Sequence, residues 1–398
     1  MSAAFSPIHL DINLPEAPDG WSWHRLTELA RLGTGHTPSR RHPEYWENGE
    51  IPWLALPDIR ALDCQTATIT SERTNRLGIE NSSARVLPKD TVALSRTASV
   101  GFVTIFGCPM ATSQDFVNWV CGPKLEPNFL LWALRSSRRF LHDIARGAIH
   151  KTIYMDVVER FHICTPPIGE QKRIAARLAT QMATSNQSIQ GIESMRQGLD
   201  DFVSAWIREG IQNSQTTFHP VEEVLEEVTQ GIGSRWEEFP VLGATRSGVA
   251  PAKEGVGKMP GRYKPVQPGS VFYNPMRIMI GSIAMLDNGD APGITSPDYV
   301  VVRPRTEAVH HLWVYEWLRS SYGGRFIQTL ARGGVRERML FSRLKTGEIP
   351  VPPKAWQQRF AEVSRHRRQA VKLLDEQLAA LDKLPGAYLR EAFGSLTD

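Results

Sequence analysis

Two segments of the chain carry apolar residues at helical spacing over a length that no single globular core can cover. In the first, after Pro166-Pro167, the apolar positions are mostly three or four residues apart: Ile174, Leu178, Met182, Ile189, Ile192, Met195, Leu199, Phe202 and Trp206. The second, after Pro352-Pro353, repeats the spacing at Phe360, Val363, Val371, Leu374, Leu378, Leu381 and Leu384. A narrow apolar stripe of this period is typical of a coiled-coil seam. About 40 helical residues span roughly 60 Å, so each helix needs a partner along its length, and the other segment is the candidate.

The regions before these segments have a different pattern. Residues 1–165 and 211–350 contain short strand-like runs separated by turns rich in Gly, Pro, Asn and Asp. The runs are residues 91–95, 100–106, 116–120, 270–274, 278–286 and 299–302. A helical stretch follows in each region, at residues 128–144 and 310–331. This mixture predicts a compact domain of mixed α and β structure in each half.

The sequence also repeats itself over a long period. Leu134-Arg-Ser-Ser137 recurs at residues 318–321, and Ala145-Arg-Gly147 recurs at residues 331–333. The displacement that relates the two Ala-Arg-Gly segments also carries Pro166-Pro167 onto Pro352-Pro353 and Gln171 onto Gln357. A duplicated architecture explains these matches better than chance does.

Composition limits the function classes. The chain has 398 residues, 41% of them hydrophobic and 22% charged, which excludes disordered, collagen-like and disulfide-scaffold chains. No apolar run approaches the roughly 18 residues that a spanning helix needs, so we expect a cytoplasmic protein without a membrane segment. The net charge of +4 does not by itself indicate a nucleic-acid partner.

Motifs for catalysis are incomplete. Asn274-Pro275-Met276-Arg277 lacks the second proline and the aromatic residue of an amino-methyltransferase loop that holds a flipped base. Gly257-Lys258 has Ala252 where a phosphate-binding loop needs its first glycine. We find neither a nucleophile–base pair nor metal-ligand spacing, so we expect no catalytic residues, no bound metal and no enzymatic activity. Two alternatives stay open: a stand-alone DNA methyltransferase or nuclease with degenerate motifs, and a coiled-coil adaptor that binds only protein.

Several motifs together resemble the specificity subunits of type I restriction–modification systems. They are Gly20-Trp21 followed by Leu26, Gly35-His-Thr-Pro-Ser39, Tyr45-Trp-Glu-Asn-Gly-Glu-Ile-Pro-Trp53, Thr165-Pro-Pro-Ile-Gly-Glu-Gln-Lys-Arg-Ile174, Val351-Pro-Pro with Gln357-Gln358, and Leu389-Arg-Glu-Ala-Phe393. The resemblance covers essentially the whole chain. The second half departs from it, since it has no Thr-Pro-Ser or Tyr-Trp segment and Trp356-Gln-Gln358 replaces Glu-Gln.

The resemblance implies an architecture. Two mixed α/β target-recognition domains, at residues 1–165 and 211–350, would be joined by two long antiparallel coiled-coil helices at residues 166–210 and 351–398, with a pseudo-two-fold internal repeat. Each domain would read one half of a bipartite, asymmetric site in double-stranded DNA.

The resemblance also implies partners and cofactors. The chain itself would be non-catalytic and hold no cofactor. It would recruit two methylating subunits that use S-adenosylmethionine on adenine, and restriction subunits that use ATP and Mg²⁺ would join that core.

Polar and basic residues in the turn-rich loops are the candidate DNA contacts, because such side chains reach base edges and phosphates from a rigid scaffold. In the first half they are Thr37, Ser39, Arg40, Arg41, Arg96, Thr97, Ser99, His150, Lys151, Thr152 and Tyr154. In the second half they are Arg246, Lys253, Lys258, Arg262, Lys264, Asn274, Arg277, Arg336 and Arg338. For any one of them a solvated charge or a loop-bracing hydrogen bond is an equally good interpretation. We expect Tyr45, Trp46 and Trp53 to pack the domain, and the glutamates at 222, 223, 226 and 227 to lie on a solvated or partner-binding face.

Overall fold

A computed structural model describes residues 6–12, 14–146, 152–253, 255–305, 307–331 and 338–394 of the protein. The chain divides into two compact units. Unit 1 comprises residues 1–190 and 378–398, and unit 2 comprises residues 191–377. The four domain boundaries predicted from the sequence separate the helices from the domains, whereas this division assigns part of each long helix to each unit. Those four boundaries therefore stay a prediction.

Unit 1 contains eleven strands and six helices ahead of its long helix, within its described residues. The strands are β1 (Ile8–Leu10), β2 (Ser22–Arg25), β3 (Ala30–Thr34), β4 (Ile51–Leu54), β5 (Thr66–Ala67), β6 (Glu72–Thr74), β7 (Val92–Ser95), β8 (Val103–Phe106), β9 (Ala111–Thr112), β10 (Phe116–Cys121) and β11 (Phe161–Thr165). The helices are α1 (Leu26–Leu29), α2 (Leu56–Ile59), α3 (Arg76–Glu80), α4 (Pro127–Ser136), α5 (Arg138–Arg146) and α6 (Met155–Val158). The long helix α7 (Ile168–Gln212) follows and continues into unit 2.

The largest sheet of unit 1 has the order β3-β10-β7-β8-β5. Its pairs are antiparallel except the last, in which β5 runs parallel to β8. Successive residues of β7 belong to two hydrophobic clusters, Val92 and Leu94 to one and Ala93 to the other. This alternation follows from the two-residue period of a strand that is buried on both faces. Helix α4 covers one of these faces and is buried from Phe129 to Leu134.

Unit 2 repeats this plan with fewer strands in its main sheet. Its strands are β12 (Thr217–Pro220), β13 (Leu225–Glu227), β14 (Leu242–Thr245), β15 (Gly248–Pro251), β16 (Lys264–Val266), β17 (Val271–Tyr273), β18 (Ile283–Met285), β19 (Gly293–Thr295), β20 (Val300–Pro304) and β21 (Glu348–Val351). Its helices are α8 (Val221–Val224), α9 (His311–Arg319), α10 (Ser321–Leu330), α11 (Phe341–Leu344) and most of α12 (Lys354–Leu381). The main sheet has the order β13-β20-β17-β18, which matches β3-β10-β7-β8.

Of the six strand-like runs predicted from the sequence, five each coincide with one observed strand (β7, β8, β10, β17 and β20), and one does not. The run 278–286 was expected to be a single strand, but Ile278–Ile280 form a 3-10 helix and only Ile283–Met285 form β18. Gly281 lies between them with φ of +83°, in the left-handed region that glycine adopts without strain. The predicted helical stretches are also each divided into two, α4 and α5 in unit 1 and α9 and α10 in unit 2.

The long helices are paired antiparallel within each unit, as expected. In unit 1, α7 contacts α13 (Leu384–Phe393), where Arg177 lies 3.1 Å from Glu391 and Ser185 lies 3.3 Å from Tyr388. In unit 2, α7 contacts α12, where Arg196 lies 3.1 Å from Asp375. The Trp206 and Trp356 rings of the same two helices lie 5.8 Å apart.

The apolar stripe of the second helical segment predicts one continuous helix as far as Leu384. The structure instead breaks this helix before that residue. Helix α12 ends at Leu381, and α13 begins at Leu384 with Pro385 in its first turn. Proline lacks the backbone N–H that a continuing helix needs, and it is well tolerated only in a first turn. The break therefore follows from this proline.

A buried glutamine fixes the start of the long helix in each unit. Gln171 accepts a hydrogen bond from the backbone N–H of Glu126 (2.9 Å) and donates to the carbonyls of Lys124 (3.1 Å) and Pro166 (3.0 Å). Gln357 is its counterpart in the repeat. It accepts from the N–H of His310 (2.7 Å) and donates to the carbonyls of Ala308 (2.8 Å) and Pro352 (2.7 Å). Both halves of the repeat thus keep the same three-bond contact between helix and domain.

A charge network links α12 to the domain of unit 2. Asp287 accepts hydrogen bonds from Arg365 (2.8 Å) and from His311 Nε2 (2.8 Å). Burial raises the pKa of Asp287, but these hydrogen bonds outweigh burial and hold it below the usual value. Burial, together with the nearby charges of His311 and Arg365, lowers the pKa of His310 to about 4, although the charge of Asp287 opposes the shift.

These values predict that unit 2 loses stability in mild acid. His310 has a lower pKa in the folded state than its unfolded value of about 6.5, so the unfolded state binds the proton more tightly. The free energy of unfolding must then fall as pH drops from about 6.5 towards 4. His310→Asn keeps an acceptor for the N–H of Leu312, and we expect it to reduce this loss by about 1–2 kcal/mol after allowance for solvent screening. Urea unfolding at pH 7 and pH 4.5 measures the difference, and His366→Asn, at an exposed position of α12, is the matched control.

Candidate nucleic-acid interface

In unit 1, hydrogen bonds through Gln114 and Arg96 join three of the loops that carry predicted DNA contacts. The Thr37 hydroxyl donates to Gln114 Oε1 at 2.5 Å, and Arg96 Nε donates to the Gln114 carbonyl at 3.1 Å. Arg96 Nη1 also donates to the carbonyl of Ile153 at 3.3 Å, and the Ile153 N–H donates back to the Arg96 carbonyl at 2.9 Å. The loops after β3, after β7 and before α6 therefore form one surface, which we call the polar site.

Asp115 holds the loop after β7 in place at the polar site. Its carboxylate accepts hydrogen bonds from the Thr97 hydroxyl (2.5 Å) and the Ser113 hydroxyl (2.9 Å), and its carbonyl accepts from the Arg96 N–H (2.8 Å). Ala98 has φ of +50°, an uncommon conformation for a residue other than glycine. Ser99 is buried, so it braces the loop. Thr97, another predicted DNA contact in this loop, is likewise turned inward, because its hydroxyl donates to the Asp115 carboxylate.

A close backbone approach explains why the β3 loop needs a glycine. A Cβ atom added at Gly35 would overlap the carbonyl of Ser113 and the side chain of Thr112. The backbone N–H of the next residue, His36, donates to the Thr112 carbonyl at 2.9 Å. Gly35 thus lets Thr37 reach Gln114.

The next part of the same loop is braced by an arginine. Arg40 makes two hydrogen bonds to the Glu72 carboxylate, at 2.5 and 2.7 Å, and its guanidinium lies 3.7 Å from the centre of the Trp46 ring. The hydrogen bonds from Arg40 hold the pKa of Glu72 below its usual value. Trp53 is buried and packs edge-on against Trp46, as expected for aromatic residues that pack the domain. The DNA contact of Arg40 stays a prediction, and this geometry favours a bracing role.

The other residues predicted in unit 1 differ in exposure. Ser39, Arg41 and Tyr154 are exposed, and Thr152 is half-buried. Tyr154 directly follows Ile153 and is 47% exposed, so it lies beside the polar site. His150 and Lys151 lie outside the described residues.

A basic cleft adjoins the polar site. It has a volume of about 600 Å³, and its lining includes Arg25, Arg31, Arg85 and Met155, the neighbour of Tyr154. The side chains of these three arginines were not among the predicted contacts. In the repeat, Glu226 takes the place of Arg31, since β13 pairs with β20 as β3 pairs with β10. The two units therefore differ in charge at this position.

In unit 2 the corresponding loops also meet. The Asn274 N–H donates to the Ser282 carbonyl at 3.3 Å and closes the loop between β17 and β18. Arg246 Nε donates to the Ile280 carbonyl at 2.8 Å. The Met339 N–H donates to the Pro275 carbonyl at 3.0 Å. This bond is the counterpart of the one from Ile153 to Arg96, because the displacement that carries Pro166-Pro167 onto Pro352-Pro353 also carries Ile153 onto Met339.

The predicted cations of unit 2 are dispersed. Arg277 and Arg338 are exposed on the two joined loops. Lys253, Lys258 and Arg262 are exposed on a separate segment between β15 and β16. Lys264 is largely buried, since its ammonium donates to Glu227 (3.1 Å) and to the Tyr299 carbonyl (2.9 Å), so its geometry favours a structural role. Arg336 lies outside the described residues.

The acidic run ahead of β14 is partly neutralised. Glu222 pairs with Lys345 at 2.9 Å, and Glu226 lies 3.9 Å from Arg303. The side chains of both glutamates are about half exposed, as expected for a solvated or partner-binding face, whereas Glu227 is only 23% exposed and pairs with Lys264.

The described residues include no group of three His, Cys, Asp or Glu side chains that is arranged to hold a metal ion. No helix in the described part of the chain is long and apolar enough to cross a membrane.

Sequence reasoning missed Gln114, the residue on which the polar site is centred. The neighbouring Asp115-Phe-Val117 has a match in the repeat at Asp298-Tyr-Val300. That match is a usable signal, because it places Gln114 in the turn just before a strand that both halves share.

Comparisons with known proteins agree with this arrangement. Residues 18–194 match the family model of the type I restriction modification DNA specificity domain. The type I restriction enzyme MjaIX specificity subunit of Methanocaldococcus jannaschii is 25% identical over 171 residues, which are 42% of this chain and 39% of that protein. A type I restriction enzyme specificity subunit of Escherichia coli is 31% identical over 178 residues, 43% of each chain. These alignments span less than half the length of the curated relatives.

The fold is also similar over almost the whole chain to a solved structure. A chain from a structural study of complex assembly and conformational transition in the type I R-M system aligns with a TM-score of 0.65 and 18% identity. The alignment covers 96% of this chain and 100% of that one. At this identity the likeness concerns the fold.

Proposed function

We propose that this chain, whose residues 18–194 match the family of type I restriction modification DNA specificity domains, is the non-catalytic subunit that selects the DNA sequence for such a system. Each unit reads one half of a bipartite, asymmetric site in double-stranded DNA. The side chains that carry sequence information are those of the polar site in unit 1 and of the joined loops in unit 2.

One observation carries the proposal. The two units hold the same pair of loops together by the same backbone hydrogen bond, Ile153 to Arg96 in unit 1 and Met339 to Pro275 in unit 2. The side chains around that bond differ, with Thr37 and Gln114 near the first and Met276 and Arg277 near the second. A shared scaffold with different exposed side chains is what reading two different half-sites requires.

The long helices supply the spacing in this proposal. A helix rises by about 1.5 Å per residue, so the length of α7 sets how many unread base pairs separate the half-sites, as protein geometry does for other two-part sites. The predicted segments 166–210 and 351–398 are the spacer elements, and the predicted domains 1–165 and 211–350 are the readers.

The partners follow from the repeat. Two similar faces suit two copies of one methylating subunit, which would use S-adenosylmethionine, and restriction subunits that use ATP would join them. This chain holds neither cofactor in the proposal.

Reconstitution with the methylating partner tests the function. The complex should methylate a bipartite sequence, which sequencing of methylated sites in a cell that expresses both chains will identify. The chain alone, incubated with labelled S-adenosylmethionine and DNA, should transfer no methyl group. Methyl transfer by the isolated chain, or a complex that binds all DNA sequences equally, would contradict the proposal.

Gln114→Ala provides a residue-level prediction. The amide of Gln114 is exposed at the polar site, and a glutamine can pair with adenine through two hydrogen bonds. We expect the variant complex to lose about 1–3 kcal/mol of binding free energy on the specific site. Competition titrations with each half-site altered in turn should place the lost selectivity in one half only. Gln187→Ala, at an exposed position of α7, should leave binding unchanged.

A further inference from the structure

Unit 2 exposes a cluster of large apolar side chains at its joined loops. Met276, Met279, Ile280 and Leu340 are 53%, 50%, 51% and 46% exposed. The first three lie in the loop between β17 and β18, and Leu340 follows Met339, whose N–H is bonded to Pro275. We call these four residues the apolar tip. Apolar side chains gathered on an exposed surface mark an interaction site more often than scattered ones do.

The surroundings of the apolar tip are basic. Arg277 and Arg338 are exposed on the same two loops, and Arg246 is bonded to the Ile280 carbonyl. Residues 274–282 and 338–340 include no aspartate or glutamate. Exposed arginines on the same loops as exposed apolar side chains complement a ligand that offers apolar groups between two lines of phosphate.

Unit 1 differs at the equivalent place. Its loop between β7 and β8 exposes Ala98 but none of the large apolar residues that unit 2 exposes. Tyr154, the counterpart of Leu340 in the repeat, carries a hydroxyl and lies near Thr37 and Gln114. The same structural position is thus polar in unit 1 and apolar in unit 2.

We propose that the apolar tip recognises thymine through its 5-methyl group in the major groove. This inference rests on the proposed function. In the major groove, the other base-edge groups are hydrogen-bond donors and acceptors, whereas the thymine methyl is apolar. Apolar side chains recognise it by direct contact. Methionine side chains are flexible and polarizable, so Met276 and Met279 can adapt to a methyl group on either strand.

Deoxyuridine provides the test, because it differs from thymidine only by lacking that methyl. The full chain is assembled with its methylating partner, and its dissociation constant is measured on the specific site with each thymine replaced in turn. The half-site affected by Gln114→Ala belongs to unit 1, so the other belongs to unit 2. Replacement in the unit 2 half-site should weaken binding about fourfold for each contacted methyl. The same replacement in the other half should change it less than about twofold.

Substitutions in the tip complete the experiment. Met279→Ser combined with Ile280→Ser should remove the preference for thymine over deoxyuridine, whereas Phe218→Ser should preserve it. Phe218 is a fair control because it is 56% exposed in the same unit, on β12. Equal binding of thymine and deoxyuridine, or a unit 2 half-site without an A·T pair, would overturn the inference.

Two other results have distinct meanings. If the double variant fails to assemble with the methylating subunit in the absence of DNA, the tip is a protein interface and the inference is wrong. If the unmodified complex shows no sequence preference at all, the proposed function itself fails.

Discussion

Phe360→Ala will destabilise unit 2 by about 3–5 kcal/mol, the usual cost of removing a buried aromatic side chain. Phe360 is fully buried on α12 and stacks on Trp356 with 5.2 Å between ring centres. It also packs edge-on against Trp313 of α9 at 5.5 Å and lies 6.4 Å from Trp206 of α7. The substitution therefore opens a cavity where both long helices meet the domain.

Urea denaturation followed by tryptophan fluorescence measures this effect. Leu373→Ala is the matched control, because Leu373 lies on the same helix and is 53% exposed. Its change in stability should stay within about 0.5 kcal/mol. Equal losses in the two variants would mean that the aromatic cluster does not attach α12 to the domain.

Gln171→Leu will destabilise unit 1 by about 2–4 kcal/mol, since each buried unsatisfied polar group costs about 1–3 kcal/mol. The leucine fits the apolar surroundings but leaves the Glu126 N–H and the carbonyls of Lys124 and Pro166 without their partner. Gln171 is 1% exposed, so water cannot easily replace the lost bonds.

Gln187→Leu makes the same chemical change at an exposed position of α7 and should be nearly neutral. Hydrogen exchange of the amide of Glu126 reports the site directly, since its protection should fall in Gln171→Leu only. Unchanged protection there would show that Gln171 does not fix the start of the helix.

Much of the fold followed from local pattern. The apolar stripe predicted α7 within a few residues of its observed bounds, because a long seam demands a partner helix. The similar displacement between matching segments, such as Pro166-Pro167 and Pro352-Pro353, predicted the repeat that the sheets β3-β10-β7-β8 and β13-β20-β17-β18 display. Even Gln171 and Gln357 were visible as a repeated pair, although the sequence could not show which backbone groups they bind.

The candidate site was less predictable. The sequence selected Thr37 and Arg96 as polar loop residues, but it did not show that both meet Gln114, 77 and 18 residues away from them. It also grouped Lys264 with the DNA contacts, and the structure pairs its ammonium with Glu227 on a strand of another sheet. Residue type alone does not distinguish an arginine or lysine that binds a ligand from one that braces a loop.

The sequence by itself predicted the long first helix, five of the strands, the duplication and the resemblance to a family, since these depend on spacing and motifs along the chain. Only the tertiary structure decided which loops share a surface, which cations are already paired and where apolar side chains stay exposed. These properties depend on contacts between residues far apart in sequence. The spacing of apolar and polar residues along the chain does not show which distant residues will meet.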